Sequence, residues 1–228
     1  MSASTPFLAK YPFKPQAILF DLDGTLADTA EDLAAPINLM RLERGLAALP
    51  INDLRPFASH GARGLIGKGL GVAKDDPAFE ALRVEFLARY EKAMVVHTKI
   101  FEGFEPVLLA LEAQSIQWGV VSNKVEKYVR PILTALGLAE RSCCAVGGDT
   151  SGFAKPHPEP LLYACRQAKF DPKLCVYVGD DLRDIQAGKA AGMFTIAAAY
   201  GFCGDADPPS AWGADVVIHH PSEMLSLL

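Results

Sequence analysis

Short apolar runs alternate with segments of helical spacing over most of this chain. One run lies near the amino end, at residues 17–20, and others follow at 118–121, 143–146, 174–178, 194–199 and 216–218. Short runs of mostly β-prone residues between polar turns predict buried parallel strands. Between them, apolar residues recur three or four apart at 104–114, 125–136, 158–168 and 183–191. This alternation predicts an α/β fold, a doubly wound, Rossmann-like parallel sheet with helices on both faces.

Residues 30–97 differ, because they contain no convincing strand. Residues 30–44 and 77–95 carry apolar residues at helical spacing, and Thr29 is placed to cap the first of these helices. Between them, residues 59–71 hold five glycines, which predicts a glycine-rich loop.

The domain organisation follows from that difference. We expect a discontinuous core domain of residues 1–28 and 98–228, with a loose arm over residues 1–15. A helical domain of residues 29–97 is inserted after the first strand and stands over the carboxyl edge of the sheet.

Composition limits the classes of protein. The chain has 228 residues, is 50% apolar and carries a net charge of −5, and it contains no Lys/Arg-rich block, so a nucleic-acid binder is not expected. No apolar run approaches the roughly 20 residues that cross a bilayer, and no signal-peptide core is present, so we expect a cytoplasmic protein, monomer or homodimer. The cysteines lack metal-ligand spacing and are expected to be buried free thiols: Cys143, Cys144, Cys165, Cys175 and Cys203.

Two aspartates stand where the first apolar run ends. Asp21 and Asp23 are spaced one apart and are followed by a Gly-Thr turn, Gly24-Thr25. Open α/β sheets place their ligand crevice at the carboxyl ends of the strands. Two neighbouring carboxylates repel unless a cation lies between them, and carboxylates with phosphate oxygens are a usual Mg²⁺ environment. An Asp-rich turn that caps a helix is the alternative.

Polar residues also follow three later runs. Ser122 and Asn123 could hold phosphate oxygens or cap a helix, and Lys155 could neutralise phosphate or be a solvated surface residue. The acids Asp180, Asp181 and Asp184 follow the run that ends at Val178. Their alternative role is to place favourable negative charge at a helix N-terminus. We expect the carboxyl groups of Asp21 and Asp180 to lie within about 10 Å, close enough for one magnesium ion.

The motifs Asp-x-Asp-Gly-Thr, Ser-Asn, Lys-Pro and Gly-Asp-x-x-x-Asp, in this order after apolar runs, resemble those of the haloacid dehalogenase-like hydrolase superfamily. The insertion is similar to that superfamily's helical type-one cap. Within the superfamily the chain resembles phosphoglycolate phosphatase-like enzymes, and most of all bacterial N-acetylmuramic acid 6-phosphate phosphatases. This nearer likeness rests on segments that include Gly61-Ala62-Arg63, residues 86–90, 96–99 and 118–124, and Trp212-Gly213-Ala214-Asp215.

The resemblance implies a Mg²⁺-dependent phosphatase that hydrolyses a small phosphomonoester through a phosphoaspartate. It implies that Asp21 is the nucleophile and Asp23 the acid/base. The resemblance implies Mg²⁺ ligands in Asp21, the backbone carbonyl of Asp23, and Asp180, with Asp181 and Asp184 orienting the shell. It implies that the phosphoryl oxygens are held by Thr25, Ser122, Asn123 and Lys155.

The insertion would supply selectivity. His60, Arg63 and Lys68 could reach over the leaving group, and Arg63 would suit the carboxylate that both 2-phosphoglycolate and N-acetylmuramic acid 6-phosphate carry. Solvated basic residues in a surface loop are the alternative. Hinges near Asp28 and Lys99 would let the cap close and exclude water. A phosphomutase on the same scaffold, or a catalytically silent phosphate-binding regulatory module, remains open.

Overall fold

The structure, a computed structural model, describes residues 11–204 and 207–228. Its strands are β1 (Ala17–Phe20), β2 (Ala27–Asp28), β3 (Lys99–Ile100), β4 (Gln117–Val121), β5 (Ala145–Val146), β6 (Cys175–Gly179), β7 (Phe194–Ala198) and β8 (Val216–Ile218). Its α-helices are α1 (Ala30–Glu43), α2 (Ile51–Ala58), α3 (Gly61–Leu70), α4 (Phe79–Lys92), α5 (Phe104–Ala113), α6 (Glu126–Ala135), α7 (Glu159–Ala168) and α8 (Leu182–Ala190).

Six strands form one parallel sheet in the order β5-β4-β1-β6-β7-β8, so β1 lies between β4 and β6. Ile18 and Phe20 face the apolar layer formed with α5 and α6, whereas Ala17 and Leu19 face the layer of α7 and α8. Both faces of β1 are therefore covered, which explains its unbroken apolar sequence. The predicted doubly wound α/β fold is confirmed.

Helices α1–α4 form the insertion between β2 and β3 and have an apolar cluster of their own. The sequence pattern did not predict β2 and β3, a short antiparallel pair in which Asp28 lies opposite Lys99. This pair joins the insertion to the core at the two positions expected to act as hinges.

The prediction of a loop over residues 59–71 was wrong, because α3 occupies most of it. Leu65 and Ile66 are buried, and Gly69 lies where a Cβ atom would collide with the side chain of Ile37 in α1. The glycines therefore permit close contact between two helices as well as turns. Gly71, in the left-handed conformation at φ +70°, ends α3.

A buried carboxylate secures the chain where it leaves the insertion. Asp32, only 2% exposed, accepts hydrogen bonds from the backbone N–H groups of Val96, His97 and Thr98 and from the Thr98 hydroxyl, at 2.7 to 3.1 Å. These contacts join the first turn of α1 to the segment that precedes β3. The two ends of the insertion are thus held together.

The remaining expectations concern the termini and the cysteines. Of the predicted arm, residues 1–10 lie outside the described residues, whereas Tyr11 and Phe13 pack against the core near Phe194. The cysteines are free, and Cys165 and Cys175 are buried. Within residues 11–204 and 207–228, no helix combines the length and apolar character that crossing a bilayer requires.

Candidate active site

Three carboxylates meet at the carboxyl edge of the sheet. Asp21 follows β1, Asp180 follows β6, and Asp184 lies in the first turn of α8. One oxygen from each lies within 4.8 Å of the other two. Because β1 and β6 are parallel neighbours, residues just after them reach the same edge. The expected proximity of Asp21 and Asp180 is therefore confirmed, and Asp184 joins them directly.

Lys155 is the ammonium group in contact with this cluster. Its Nζ lies 3.0 Å from Oδ1 of Asp21 and 2.6 Å from Oδ1 of Asp184, and it also donates to the Tyr177 hydroxyl at 2.8 Å. Burial lowers the pKa of Lys155, but Asp184 and Asp21 outweigh it and raise the pKa overall. The lysine thus stays protonated and compensates part of the negative charge.

The charge balance of the cluster suits a divalent cation. Burial, followed by the repulsion of Asp21 and Asp184, raises the pKa of Asp180 well above its ordinary value. One ammonium cannot balance three nearby carboxylates. Carboxylate oxygens at this spacing are the donors that hard cations such as Mg²⁺ take, so the residues present fit a magnesium ion.

Asp180 is oriented by three neighbours. Thr25 donates its hydroxyl to Oδ1 of Asp180 at 2.8 Å, and the backbone N–H of Phe202 donates to Oδ2 at 2.8 Å. Gly24, at φ +84°, lies so close that a Cβ atom there would collide with the carboxyl group of Asp180. The Thr25 hydroxyl faces Asp180, and its phosphate contact stays a prediction.

The carboxylate of Asp23 is not one of the three in the cluster, and it is paired with a lysine that was not among the predicted site residues. Lys124 donates from Nζ to both carboxylate oxygens of Asp23 at 2.9 Å, and the Thr29 hydroxyl donates to Oδ1 at 2.6 Å. Thr29 therefore binds Asp23 and makes no side-chain cap bond to α1. No local feature of the sequence indicated this pairing.

The predicted phosphate-binding residues of the core are brought together as well. Ser122, Asn123 and Lys155 line one cavity with the aspartates. The Asn123 side chain donates to the backbone carbonyl of Lys155 at 2.9 Å and accepts from its N–H at 2.8 Å. Asn123 thus positions the backbone of Lys155, while the phosphate contacts of all three remain predictions.

Asp181 lies at the start of α8 and supports the acidic loop. Its side chain accepts from the N–H of Arg183, and Asp184 accepts from the N–H of Asp181, which forms a capping box. Arg183 also donates to the backbone carbonyl of Ser59 at 2.7 Å. The loop that holds Asp180 and Asp184 is therefore linked to the insertion through Arg183.

A cavity of about 380 Å³ lies between the sheet edge and the insertion. The insertion contributes apolar and aromatic side chains to its wall, together with the corner between α2 and α3. These residues are Leu33, Ala58, Ser59, His60, Gly61, Ala62, Arg83, Phe86, Leu87 and Tyr90. A wall of this kind can bind the non-phosphate part of a substrate.

The basic residues predicted to reach over the leaving group are separated by the structure. His60 lines both the cavity and a smaller neighbouring cleft of about 210 Å³, whereas Arg63 lines the cleft but not the cavity. Lys68 lies over the ring of Phe57, 5.2 Å from its centroid. Arg55, which was not predicted, pairs with Asp28 of β2 at 3.0 Å and so connects α2 to the hinge pair.

Comparisons with known proteins agree with this arrangement. Residues 18–198 match the family described as haloacid dehalogenase-like hydrolase. The chain is 45% identical over 213 residues to the N-acetylmuramic acid 6-phosphate phosphatase of Pseudomonas putida, which covers 93% of this chain and 96% of the relative. It is 43% identical over 210 residues to a phosphoglycolate phosphatase of Xanthomonas campestris, with 92% and 95% covered. A crystal structure of a predicted phosphoglycolate phosphatase from Haemophilus somnus superimposes with a TM-score of 0.82 at 28% identity, covering 95% of this chain and 99% of that one.

Proposed function

From the premise that the chain belongs to the haloacid dehalogenase-like hydrolase family and is a phosphatase, we propose that it is magnesium-dependent and hydrolyses N-acetylmuramic acid 6-phosphate. The observation that carries the choice of substrate is the cavity of about 380 Å³ beside the carboxylate cluster. The choice agrees with the similarity to the N-acetylmuramic acid 6-phosphate phosphatase of Pseudomonas putida.

The size of the cavity favours a sugar phosphate over 2-phosphoglycolate. Pockets of about 300 to 1,000 Å³ enclose ligands of drug size. A leaving group of two carbons would leave most of this cavity filled with water. The aromatic and aliphatic side chains Phe86, Leu87 and Tyr90 offer apolar surface to a pyranose ring and to the methyl groups of its substituents.

The residues of the cluster have distinct parts in the proposed reaction. Asp21 attacks the phosphorus atom through a carboxylate oxygen, a nucleophile that needs no separate base. Asp23 protonates the leaving oxygen and then takes a proton from the attacking water. Lys155 and Ser122 hold phosphoryl oxygens while charge builds up on them. Phosphoryl transfer depends mainly on such placement and charge compensation.

Magnesium has a defined place in this proposal. Asp21 and Asp180 would hold it, as the family resemblance implies, together with the backbone carbonyl of Asp23. Asp184 would orient the shell, and its position in the cluster also allows it to bind the metal directly. The bound ion supplies charge neutralisation at the transferring phosphoryl group.

The insertion has the part of a cap domain. We place its limits at residues 29 and 97, next to the antiparallel pair of β2 and β3. Rotation about this pair would open the cavity to substrate and close it during transfer of the phosphoryl group to Asp21, which would exclude bulk water from that step.

The test is a comparison of kcat/KM with magnesium for N-acetylmuramic acid 6-phosphate and 2-phosphoglycolate. We expect the sugar phosphate to be hydrolysed with at least about a tenfold higher kcat/KM, since its leaving group gains binding energy in the wall of the cavity. A higher kcat/KM for 2-phosphoglycolate would overturn the choice of substrate.

A further inference from the structure

Tyr90 of α4 lies in the cavity wall on the side of the leaving group. Its ring centroid is 4.9 Å from Nζ of Lys124, and Lys124 in turn binds both carboxylate oxygens of Asp23. Because Asp23 is the proposed acid for the leaving oxygen, two side chains, Lys124 and Asp23, connect Tyr90 to that oxygen. Tyr90 is therefore linked to the group that would act on the leaving oxygen.

The hydroxyl of Tyr90 is buried and lacks a hydrogen-bond partner among the residues that the structure describes. This is unusual, since about nine in ten buried polar groups are hydrogen-bonded. The adjacent Tyr128, with its ring centroid 5.5 Å away, donates its hydroxyl to Glu91 at 2.7 Å. Of these two neighbouring tyrosines, the one beside Lys124 is thus the one whose hydroxyl has no such partner.

The contacts of Tyr90 restrict its ring, and its surroundings keep its hydroxyl protonated. Phe86 stacks on Tyr90 with an angle of 6° between the rings, which restricts the side chain. Burial raises the pKa of Tyr90, although the neighbouring Lys124 lowers it, and the hydroxyl therefore keeps its proton and can act as a donor.

We propose that Tyr90 is a specificity-determining residue whose hydroxyl donates a hydrogen bond to an acceptor oxygen on the sugar part of the leaving group. This inference rests on the proposed function. The residue is only 2% exposed in this conformation, so the contact forms when the insertion, which carries α4, adjusts to the bound sugar. The substrate then supplies the partner that the protein lacks.

The experiment compares Tyr90→Phe with a matched control, Tyr11→Phe. The Tyr11 hydroxyl is also buried without a partner among the described residues, but Tyr11 packs on Phe194 at the amino end of β7, away from the cavity. Each variant is assayed for kcat/KM on N-acetylmuramic acid 6-phosphate and on p-nitrophenyl phosphate, which lacks sugar oxygens. The melting temperature of the unliganded protein is also recorded.

We expect Tyr90→Phe to lower kcat/KM for the sugar phosphate by about three- to tenfold, the usual effect of one neutral hydrogen bond, and to leave p-nitrophenyl phosphate unchanged. The melting temperature should not fall, because no bond within the protein is lost. Tyr11→Phe should behave as wild type on both substrates. Equal losses on both substrates, or no loss on either, would overturn the inference.

The same measurements separate this inference from the proposed function. If wild type prefers 2-phosphoglycolate, the proposed substrate is wrong. The kcat/KM of Tyr90→Phe is then compared with that of wild type on the sugar phosphate that wild type hydrolyses fastest. A selective loss there would still support the hydroxyl contact. Failure of wild type to hydrolyse any sugar phosphate would overturn both.

Discussion

The ammonium nitrogen of Lys155 lies 3.0 Å from Oδ1 of Asp21, and the two residues are 4% and 9% exposed. Lys155 comes from the loop after β5 and Asp21 from the end of β1, so the contact depends on the complete sheet. A carboxylate in this position keeps its charge only if cations compensate it. Lys155 and the proposed metal therefore both compensate the charge of Asp21, and the protein should depend more strongly on either one when the other is removed.

Replacement of Lys155 by methionine should destabilise the protein most when magnesium is absent. Loss of one partner from a buried ion pair costs about 3–5 kcal/mol, because the remaining charge is uncompensated. Magnesium should recover part of that loss, since it binds only the folded cluster. Urea denaturation in EDTA and in excess magnesium would measure both quantities.

Lys173→Met is the control for this substitution, because Lys173 is exposed. Its free energy of unfolding should stay within about 0.5 kcal/mol of wild type, as for most surface changes. If the Lys155 and Lys173 variants behave alike, or if magnesium restores nothing to Lys155→Met, the proposed charge balance is wrong.

Gly24→Ala should weaken magnesium binding and turnover. A methyl group at Gly24 would collide with the carboxyl group of Asp180 and the ring of Phe202, and its φ of +84° is unfavourable for alanine. We expect at least about a tenfold increase in the magnesium concentration for half-maximal activity, typical when groups that orient metal ligands are disturbed. A magnesium titration of p-nitrophenyl phosphate hydrolysis measures it.

Gly45→Ala is the control that tests backbone strain at positive φ without the steric clash expected at Gly24. Gly45 has a similar φ of +71° but no heavy atom within 4 Å of the added methyl group. It should lose roughly 1 kcal/mol of stability and keep the magnesium dependence of wild type. An unchanged magnesium requirement in Gly24→Ala would contradict the close approach to Asp180.

Asp32→Ala should loosen the connection between the insertion and β3. It removes the acceptor for the N–H groups of Val96, His97 and Thr98, and hydrogen bonds to a charged group contribute roughly 1.5–3 kcal/mol each, though not additively. We expect a loss of about 3 kcal/mol overall, and faster hydrogen exchange at these amides. Asp75→Ala, at an exposed aspartate, should change neither; normal protection in Asp32→Ala would refute the anchoring role.

The strands and the acidic site were predictable because both depend on local sequence patterns and on the rule that the carboxyl ends of parallel strands lie at the same edge of a sheet. The run at residues 17–20 that predicted β1 is buried on both faces of the sheet, and so its sequence is apolar throughout. Parallel neighbours end at the same edge, which is why Asp21 and Asp180 could be expected to meet although most of the chain separates them.

The parts that escaped prediction depend on contacts between distant segments. The glycines of α3 indicated a loop, and the contact that explains one of them, Gly69 against the side chain of Ile37, is with another helix. The pairing of Lys124 with Asp23 gives no local signal either, because a lysine after Ser122-Asn123 is equally suited to solvent. Thr29 had the pattern of a helix cap, but the nearness of Asp23 redirects its hydroxyl.

The central proposal, that Asp21 receives the phosphoryl group, is tested most directly by identification of the phosphorylated residue. Asp23→Asn should slow hydrolysis of the phosphoenzyme, because it removes the proposed base for the attacking water. The variant is mixed with magnesium and p-nitrophenyl phosphate, whose leaving group needs little protonation by Asp23, then quenched in acid and digested for mass spectrometry. We predict one added phosphoryl group on the peptide that contains Asp21, and none when Asp21 is replaced by asparagine. A phosphoryl group on another residue, or a fully active Asp21→Asn enzyme, would contradict the proposal.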